Sequence, residues 1–129
     1  MALLEKWTAY NQKQIEIKGT IEQVLADLPS SELSLNEFYL LYYLNQSPRK
    51  KLNQFELPER LHLSASAVSR MISRLEAKNC GVIAKQLCDE DKRSTFIRIT
   101  DHGQQIIAEA IKAVEAALTS YQQELSRIK

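Results

Sequence analysis

The apolar positions along the chain change period twice. Over residues 2–28, Leu3, Leu4, Trp7, Tyr10, Ile15, Ile17, Ile21, Val24, Leu25 and Leu28 recur at helical rather than alternating spacing. Gly19 weakens that segment, and Pro29-Ser30-Ser31 ends it. Ser34-Leu35-Asn36-Glu37 then reads as a capping box, a hydroxyl for an orphan N–H with a carboxylate three residues on. A dense apolar helix over 38–44 follows, stopped by Asn45-Gln46-Ser47-Pro48. The basic turn Arg49-Lys50-Lys51 leads to a short helix over about 53–61. With Asn53 as its cap, Pro58 falls near the end of the first turn, where a missing N–H costs less than it would mid-helix. A second short helix starts at Ser64. Val68, Met71, Ile72 and Leu75 are spaced for one buried face, while Arg70, Arg74 and Lys78 fall at i, i+4 and i+8 on another. Asn79 and Gly81, both tolerant of left-handed backbone, end it. Residues 82–87 and 94–99 read as two strands around the charged tip Asp89-Glu90-Asp91-Lys92. Thr100 or Asp101 caps a last helix to about residue 128, whose apolar positions from Ile106 to Ile128 run its whole length.

Long helix, helix, short helix, helix, hairpin, long helix: this order predicts a mostly α fold, a winged helix-turn-helix with long N- and C-terminal helices, which either pack on one another within one chain or meet a second copy. Composition agrees: 129 residues are one domain's length, 44% apolar and 26% charged residues are ordinary for a globular protein, and three Gly and three Pro are too few turn formers for an all-β fold. No apolar run approaches the roughly 20 residues that span a bilayer, so no membrane partner is expected. The N-terminus lacks the features of a signal peptide, and Cys80 and Cys88 are too few for a disulfide scaffold. The expected compartment is the cytoplasm.

Charge adds a partner hint that the net value of +1 hides. Residues 1–48 carry −3, residues 99–129 carry −1, and residues 49–98 carry eleven Lys and Arg against six Asp and Glu, a net of +5. A basic middle is compatible with a merely solvated face. It is also where the helix-turn-helix and the hairpin lie.

In a helix-turn-helix the first helix crosses the DNA backbone and the second enters the major groove N-terminus first. Here the second opens Ser64-Ala65-Ser66-Ala67, whose small side chains permit close approach to base edges. Hydroxyls can meet donors or acceptors, and Ala can touch a thymine methyl. Ser66, Ala67, Ser69 and Arg70 are the expected base-facing set, with Arg70 suited to a guanine. Arg74 and Lys78, farther along, are expected at phosphates, which fix register without reading sequence. The N–H groups at the Ser64 end favour a phosphate as well. Serines at a helix start commonly serve only as caps, and an arginine pair at i, i+4 is commonly solvated, so this helix alone does not decide for DNA. The hairpin tip adds Lys92 and Arg93 beside an acidic cluster. It reads either as a soluble turn or as a wing in which Arg93 reaches a minor groove or phosphate while Asp91 holds it.

Residues 63–76 (Leu63-Ser64-Ala65-Ser66-Ala67-Val68-Ser69-Arg70-Met71-Ile72-Ser73-Arg74-Leu75-Glu76), Gly81-Val82-Ile83-Ala84-Lys85, Asp89-Glu90-Asp91-Lys92-Arg93 and Arg98-Ile99-Thr100-Asp101-His102-Gly103 together resemble the MarR-type (multiple antibiotic resistance regulator) transcriptional regulators. The Asp-x-Arg wing followed by Ile-Thr-x-x-Gly is the more specific part, and the resemblance covers about residues 34–103. It implies a homodimer in which residues 1–33 with 101–129 are the interlocked dimerisation helices and residues 34–100 the winged helix-turn-helix DNA-binding lobe, the whole one intertwined domain, with two such lobes on double-stranded DNA at a pseudo-palindromic operator. It also implies that Asp91 braces Arg93. Many relatives are repressors released by a small aromatic effector. Three departures stand out, the first being that Pro58 replaces a usual helix former. Asn79-Cys80 adds two residues before Gly81, and the chain ends near Lys129 without the extra C-terminal helix of most relatives, which is closer to the short form of the family.

Other chemistry is not expected. His62 and His102 lack further ligands at metal spacing, so no metal and no cofactor are expected. A redox role for Cys80 and Cys88, flanking the first wing strand, stands against two inert thiols. No catalytic residues stand out, so no enzyme is expected. The reading is a sequence-specific dimeric DNA-binding regulator, a repressor released by a small-molecule effector. The alternative is a winged-helix protein-interaction module without DNA binding.

Overall fold

The computed structural model describes residues 2–29, 32–77, 81–87 and 95–128. Among these residues six helices and three strands follow in the order α1 (Ala2–Asp27), α2 (Leu35–Gln46), β1 (Lys51–Asn53), α3 (Leu57–Leu61), α4 (Ala65–Ala77), β2 (Ile83–Leu87), β3 (Thr95–Ile99), α5 (Asp101–Leu118) and α6 (Gln122–Leu125), with 3-10 turns at Gln54–Glu56 and Thr119–Tyr121. Two compact units emerge: Met1–Leu35 with Ala110–Lys129, and Asn36–Glu109. The division falls inside α5, at Ala110.

The Asn36–Glu109 unit is the winged lobe. Its core is the sum of the apolar faces anticipated from periodicity. Phe38, Leu40, Leu41 and Leu44 of α2, Val68, Met71, Ile72 and Leu75 of α4, and Ile97 and Ile99 of β3 are all buried. The strands form an antiparallel sheet in the order β1-β3-β2. Ile83 faces Ile99 and Lys85 faces Ile97 across β2 and β3, while Lys51 faces Arg98 and Leu52 faces Ile97 across β1 and β3. Alternation then puts Leu52, Ile83, Ile97 and Ile99 on the inner face, and Lys51, Asn53, Phe96, Arg98 and Ala84 on the outer one.

Residues 53–61 differ from the single helix expected. Lys51–Asn53 pairs with β3 as an edge strand, Asn53 Oδ1 accepts from the Phe55 N–H at 2.9 Å to start a 3-10 turn, and α3 proper begins only at Leu57. Pro58 explains the split. Lacking an N–H, it can sit only in a helix's first turn, and it takes that place in α3. The junction from α3 to α4 is made by His62, a non-glycine residue in left-handed backbone (φ 55°), whose N–H reaches the Glu59 carbonyl.

Thr100 is the cap of α5. Its Oγ1 accepts from the Gly103 N–H at 3.0 Å and donates to the Gly81 carbonyl at 2.8 Å, while its own N–H reaches the Val82 carbonyl at 3.1 Å. One hydroxyl thus ties the end of the hairpin to the approach of β2. Thr100→Val is expected to cost about 1–2 kcal/mol, the usual worth of a threonine cap. Thermal unfolding followed by circular dichroism checks this, and an unshifted midpoint contradicts it.

In the other unit, Ile21 and Leu25 of α1 are buried, as are Leu33, Ala110 and Val114. The last helix does not run unbroken to residue 128. It stops at Leu118, passes through a 3-10 turn and resumes for one turn in α6. Periodicity continues across the break, but the backbone does not. The Thr119 hydroxyl bonds back to the Glu115 carbonyl, Tyr121 leaves helical geometry (φ −113°, ψ 23°), and the Tyr121 hydroxyl meets Thr20 Oγ1 at 2.9 Å. Among the described residues no helix is long and apolar enough to cross a membrane.

Candidate nucleic-acid interface

The candidate site is built on α4, whose register is fixed from both ends. At its start Ser64 Oγ accepts from the Ala67 N–H at 3.1 Å, and the Ser64 carbonyl accepts from the Val68 N–H. This is the capping expected of Ser64. Ser66 Oγ lies 3.3 Å from Ser64 Oγ, so the first two serines share one polar cluster. At the far end Gly81 takes φ +86° and the Val82 N–H returns to the Leu75 carbonyl.

With Val68, Met71, Ile72 and Leu75 turned inward, the helix presents Ser66, Ser69, Arg70, Ser73, Arg74 and Ala77 on its exposed side. Ala67 is half-buried at the edge of that face. Ser73 completes the strip and was not among the residues singled out from sequence. It follows Ser69 by four residues and Arg70 by three, so extending the same face by one turn finds it.

The two arginines of α4 differ in setting. Arg70 makes no ion pair or hydrogen bond with another described residue. Arg74 has its Nε 3.6 Å from Oε2 of Glu37, a buried carboxylate on α2. Glu37, which the sequence suggests as a capping-box residue, thus meets the second helix of the motif. The Arg60 guanidinium of α3 lies 4.8 Å from the centroid of the Tyr43 ring on α2, and Lys85 Nζ of β2 lies 3.7 Å from Glu76 Oε1 of α4. Each such contact at the surface is weak by itself. Together they join both helices of the motif to α2 and join α4 to the sheet.

The edge strand brings in a further pair of cations. Lys51 and Arg98 stand directly opposite one another on the outer sheet face, the Lys51 ammonium 4.9 Å from the Phe96 ring centroid. Sequence alone did not bring these two together, because their meeting depends on β1. Lys78, Asp91, Lys92 and Arg93, the rest of the expected contact set, lie outside the described residues, as do Asn79, Cys80 and Cys88. Among the described residues no group of three His, Cys, Asp or Glu side chains is placed to hold a metal.

The helix-turn-helix, the β1-β3-β2 sheet and the exposed basic and hydroxyl face of α4 now stand together. The MarR family model matches residues 31–94, which take in α2, β1, both helices of the motif and β2. The chain belongs to the MarR family. This MarR-family chain is 29% identical over 85 residues to the uncharacterized HTH-type transcriptional regulator YdgJ of Bacillus subtilis (strain 168). The match takes in 66% of the chain and 48% of that relative, so it spans about half the relative's length. Among solved structures, AbsC, a MarR family transcriptional regulator from Streptomyces coelicolor, aligns with a TM-score of 0.82 at 21% identity, over 93% of this chain and 78% of that one. Sco3205, a MarR family regulator of the same organism solved in complex with DNA, aligns with a TM-score of 0.75 at 24% identity, over 97% of this chain and 81% of its own. At such identities the likeness speaks for the fold.

Proposed function

We propose that the protein is a transcriptional regulator, not an enzyme, that binds double-stranded DNA as a homodimer. The observation that carries this reading is the outward strip Ser66, Ser69, Arg70, Ser73 and Arg74 on a capped, braced second helix. Small hydroxyl side chains followed by arginines suit base edges first and phosphates farther along. The DNA complex of Sco3205, a protein of the same family and fold, supports the reading.

The homodimer is supported by α1. Leu3, Leu4, Trp7 and Tyr10 are all more than half exposed, and they recur at one-helix-face spacing. A stripe of large apolar residues left uncovered in one chain is stabilised by covering it with a second copy. Two copies place two α4 helices on DNA, which is what a pseudo-palindromic operator requires. Repression released by a small aromatic effector completes the proposal and rests on the family's habit.

Selection of bound sequences from random duplex DNA, followed by sedimentation of the free and bound protein, tests the core of the reading. An enriched two-fold motif bound by two chains supports it. Sequence-blind binding, or none, rejects it in favour of an interaction module. In the wing, Arg93→Ala is expected to weaken binding and to reduce the slope of log K against log[salt] by about 0.9, the value for one lost phosphate contact. A filter-binding salt titration measures it, and an unchanged slope removes Arg93 from the contact set.

A further inference from the structure

Glu37 is an unusual residue for its place. It sits in the first turn of α2, where a glutamate ordinarily serves its own helix terminus at the surface. Here its side chain is 5% exposed, and Arg74 of α4, 61% exposed, brings Nε to 3.6 Å from Oε2. A carboxylate withdrawn this far from water is held strongly to neighbours that can satisfy it. The arginine belongs to the exposed strip of α4, yet it is drawn into an ion pair with a buried carboxylate of the protein.

The position of Arg74 along the helix limits what it can do. It lies ten residues beyond Ser64, about 15 Å at the α-helical rise. A helix that enters the groove N-terminus first reads bases with its opening residues, and the major groove is about 12 Å wide. Arg74 is thus at the level of the flanking sugar-phosphate backbone. A guanidinium has five N–H donors in a rigid plane. With the Nε side turned to Glu37, the Nη groups remain for an outside acceptor, and a phosphate is the acceptor available at that level. An untethered arginine loses its rotameric freedom when it meets a phosphate; one already anchored through Nε has lost part of it beforehand.

We propose that Glu37 is a positioning residue for DNA binding: it holds Arg74 as a pre-oriented phosphate clamp and keeps it from the base edges. The inference rests on the DNA-binding reading above. It assigns Glu37, a side chain buried in α2, an effect on DNA affinity that operates only through Arg74. Because the contact made is to phosphate, the effect is the same on every DNA sequence.

Equilibrium DNA binding by the full chain at several salt concentrations tests this, using a selected duplex and a scrambled duplex of equal length. Glu37→Gln keeps the shape and removes the charge. It is expected to weaken binding to both duplexes by about three- to tenfold, part of the cost of ordering one long side chain, with the salt slope retained. Arg74→Gln is expected to weaken both and to lower the slope by about 0.9. The double variant is expected to bind as Arg74→Gln alone. Arg74→Lys keeps the charge without the planar fork, should fold as the wild type does, and is expected to match Glu37→Gln in affinity and slope. Thermal midpoints taken alongside report folding at the binding temperature. A purely structural role would lower the midpoint of Glu37→Gln while leaving binding of the folded protein unchanged, and that result overturns the proposal. So does a double variant weaker than Arg74→Gln, or a steeper slope for Glu37→Gln, which would make the carboxylate a mask. If the wild type binds neither duplex, the DNA-binding reading itself fails and takes this inference with it. Wild-type binding with an indifferent Glu37→Gln removes the inference alone.

Discussion

Gly103→Ala is expected to destabilise the protein by about 3 kcal/mol and to lower its melting temperature by about 10 °C. Gly103 sits in the first turn of α5, which starts directly from the end of β3. A Cβ there would stand 2.1 Å from the Val82 carbonyl oxygen and 2.8 Å from Ile99 Cγ1. The first is backbone, and it is the same carbonyl that accepts the Thr100 N–H. A methyl group can therefore be admitted only by moving α5 away from β2, which breaks the Thr100 cap as well. The effect should exceed that of Thr100→Val, since the clash and the loss of the cap come together. Gly19 supplies a control of opposite sign. It lies inside α1, and a Cβ added there would meet nothing within 4 Å, so Gly19→Ala should stabilise by up to about 1 kcal/mol through helix propensity. Chemical denaturation of the three proteins side by side decides the matter. A Gly103→Ala protein as stable as the wild type would mean that the start of α5 does not lie against the Val82 carbonyl.

The Ile-Thr-x-x-Gly run was legible in the sequence as a motif, and the structure supplies its physical reason: hydroxyl, carbonyl and absent side chain form one joint. The same division runs through the whole molecule. Features written in local spacing were readable. Val68, Met71, Ile72 and Leu75 announce a buried face, Ser64 announces a cap, and all five behave accordingly. Features that depend on distant partners were not. Lys51-Leu52-Asn53 has one apolar residue in three and becomes a strand only because β3, far along the chain, offers it a ladder. Glu37 reads locally as part of a capping box, and nothing near it in sequence points to Arg74. The end of α5 failed for the opposite reason. Its apolar repeat persists through residues 119–121, but the Thr119 hydroxyl bonds back to the Glu115 carbonyl and the backbone turns out of the helix at Tyr121. Of the candidate interface, the α4 strip was readable save for Ser73, while the sheet pair Lys51 and Arg98 was hidden until β1 was in place.

Arg70→Ala is expected to weaken binding to the selected DNA site by about 10- to 100-fold, with little loss on unrelated duplexes. The contrast with Arg74 is built into α4. Arg70 is six residues from Ser64, about 9 Å along the axis, within the span that a groove-inserted helix presents to base edges. It has no ion pair among the described residues to hold it back, and its neighbours Ser66, Ser69 and Ser73 are small enough for close approach. An arginine in that place can offer two parallel N–H groups to a guanine, a contact that discriminates by about 1–3 kcal/mol. Substitution should then also relax the sequence preference at one base pair in each half-site, while a phosphate contact would be lost equally on all sequences. Fluorescence anisotropy on the selected site and on single-base variants of it measures both quantities. Equal losses on specific and scrambled DNA would move Arg70 to the backbone and leave Ser66, Ala67 and Ser69 as the readers. Undiminished binding would remove Arg70 from the contact set.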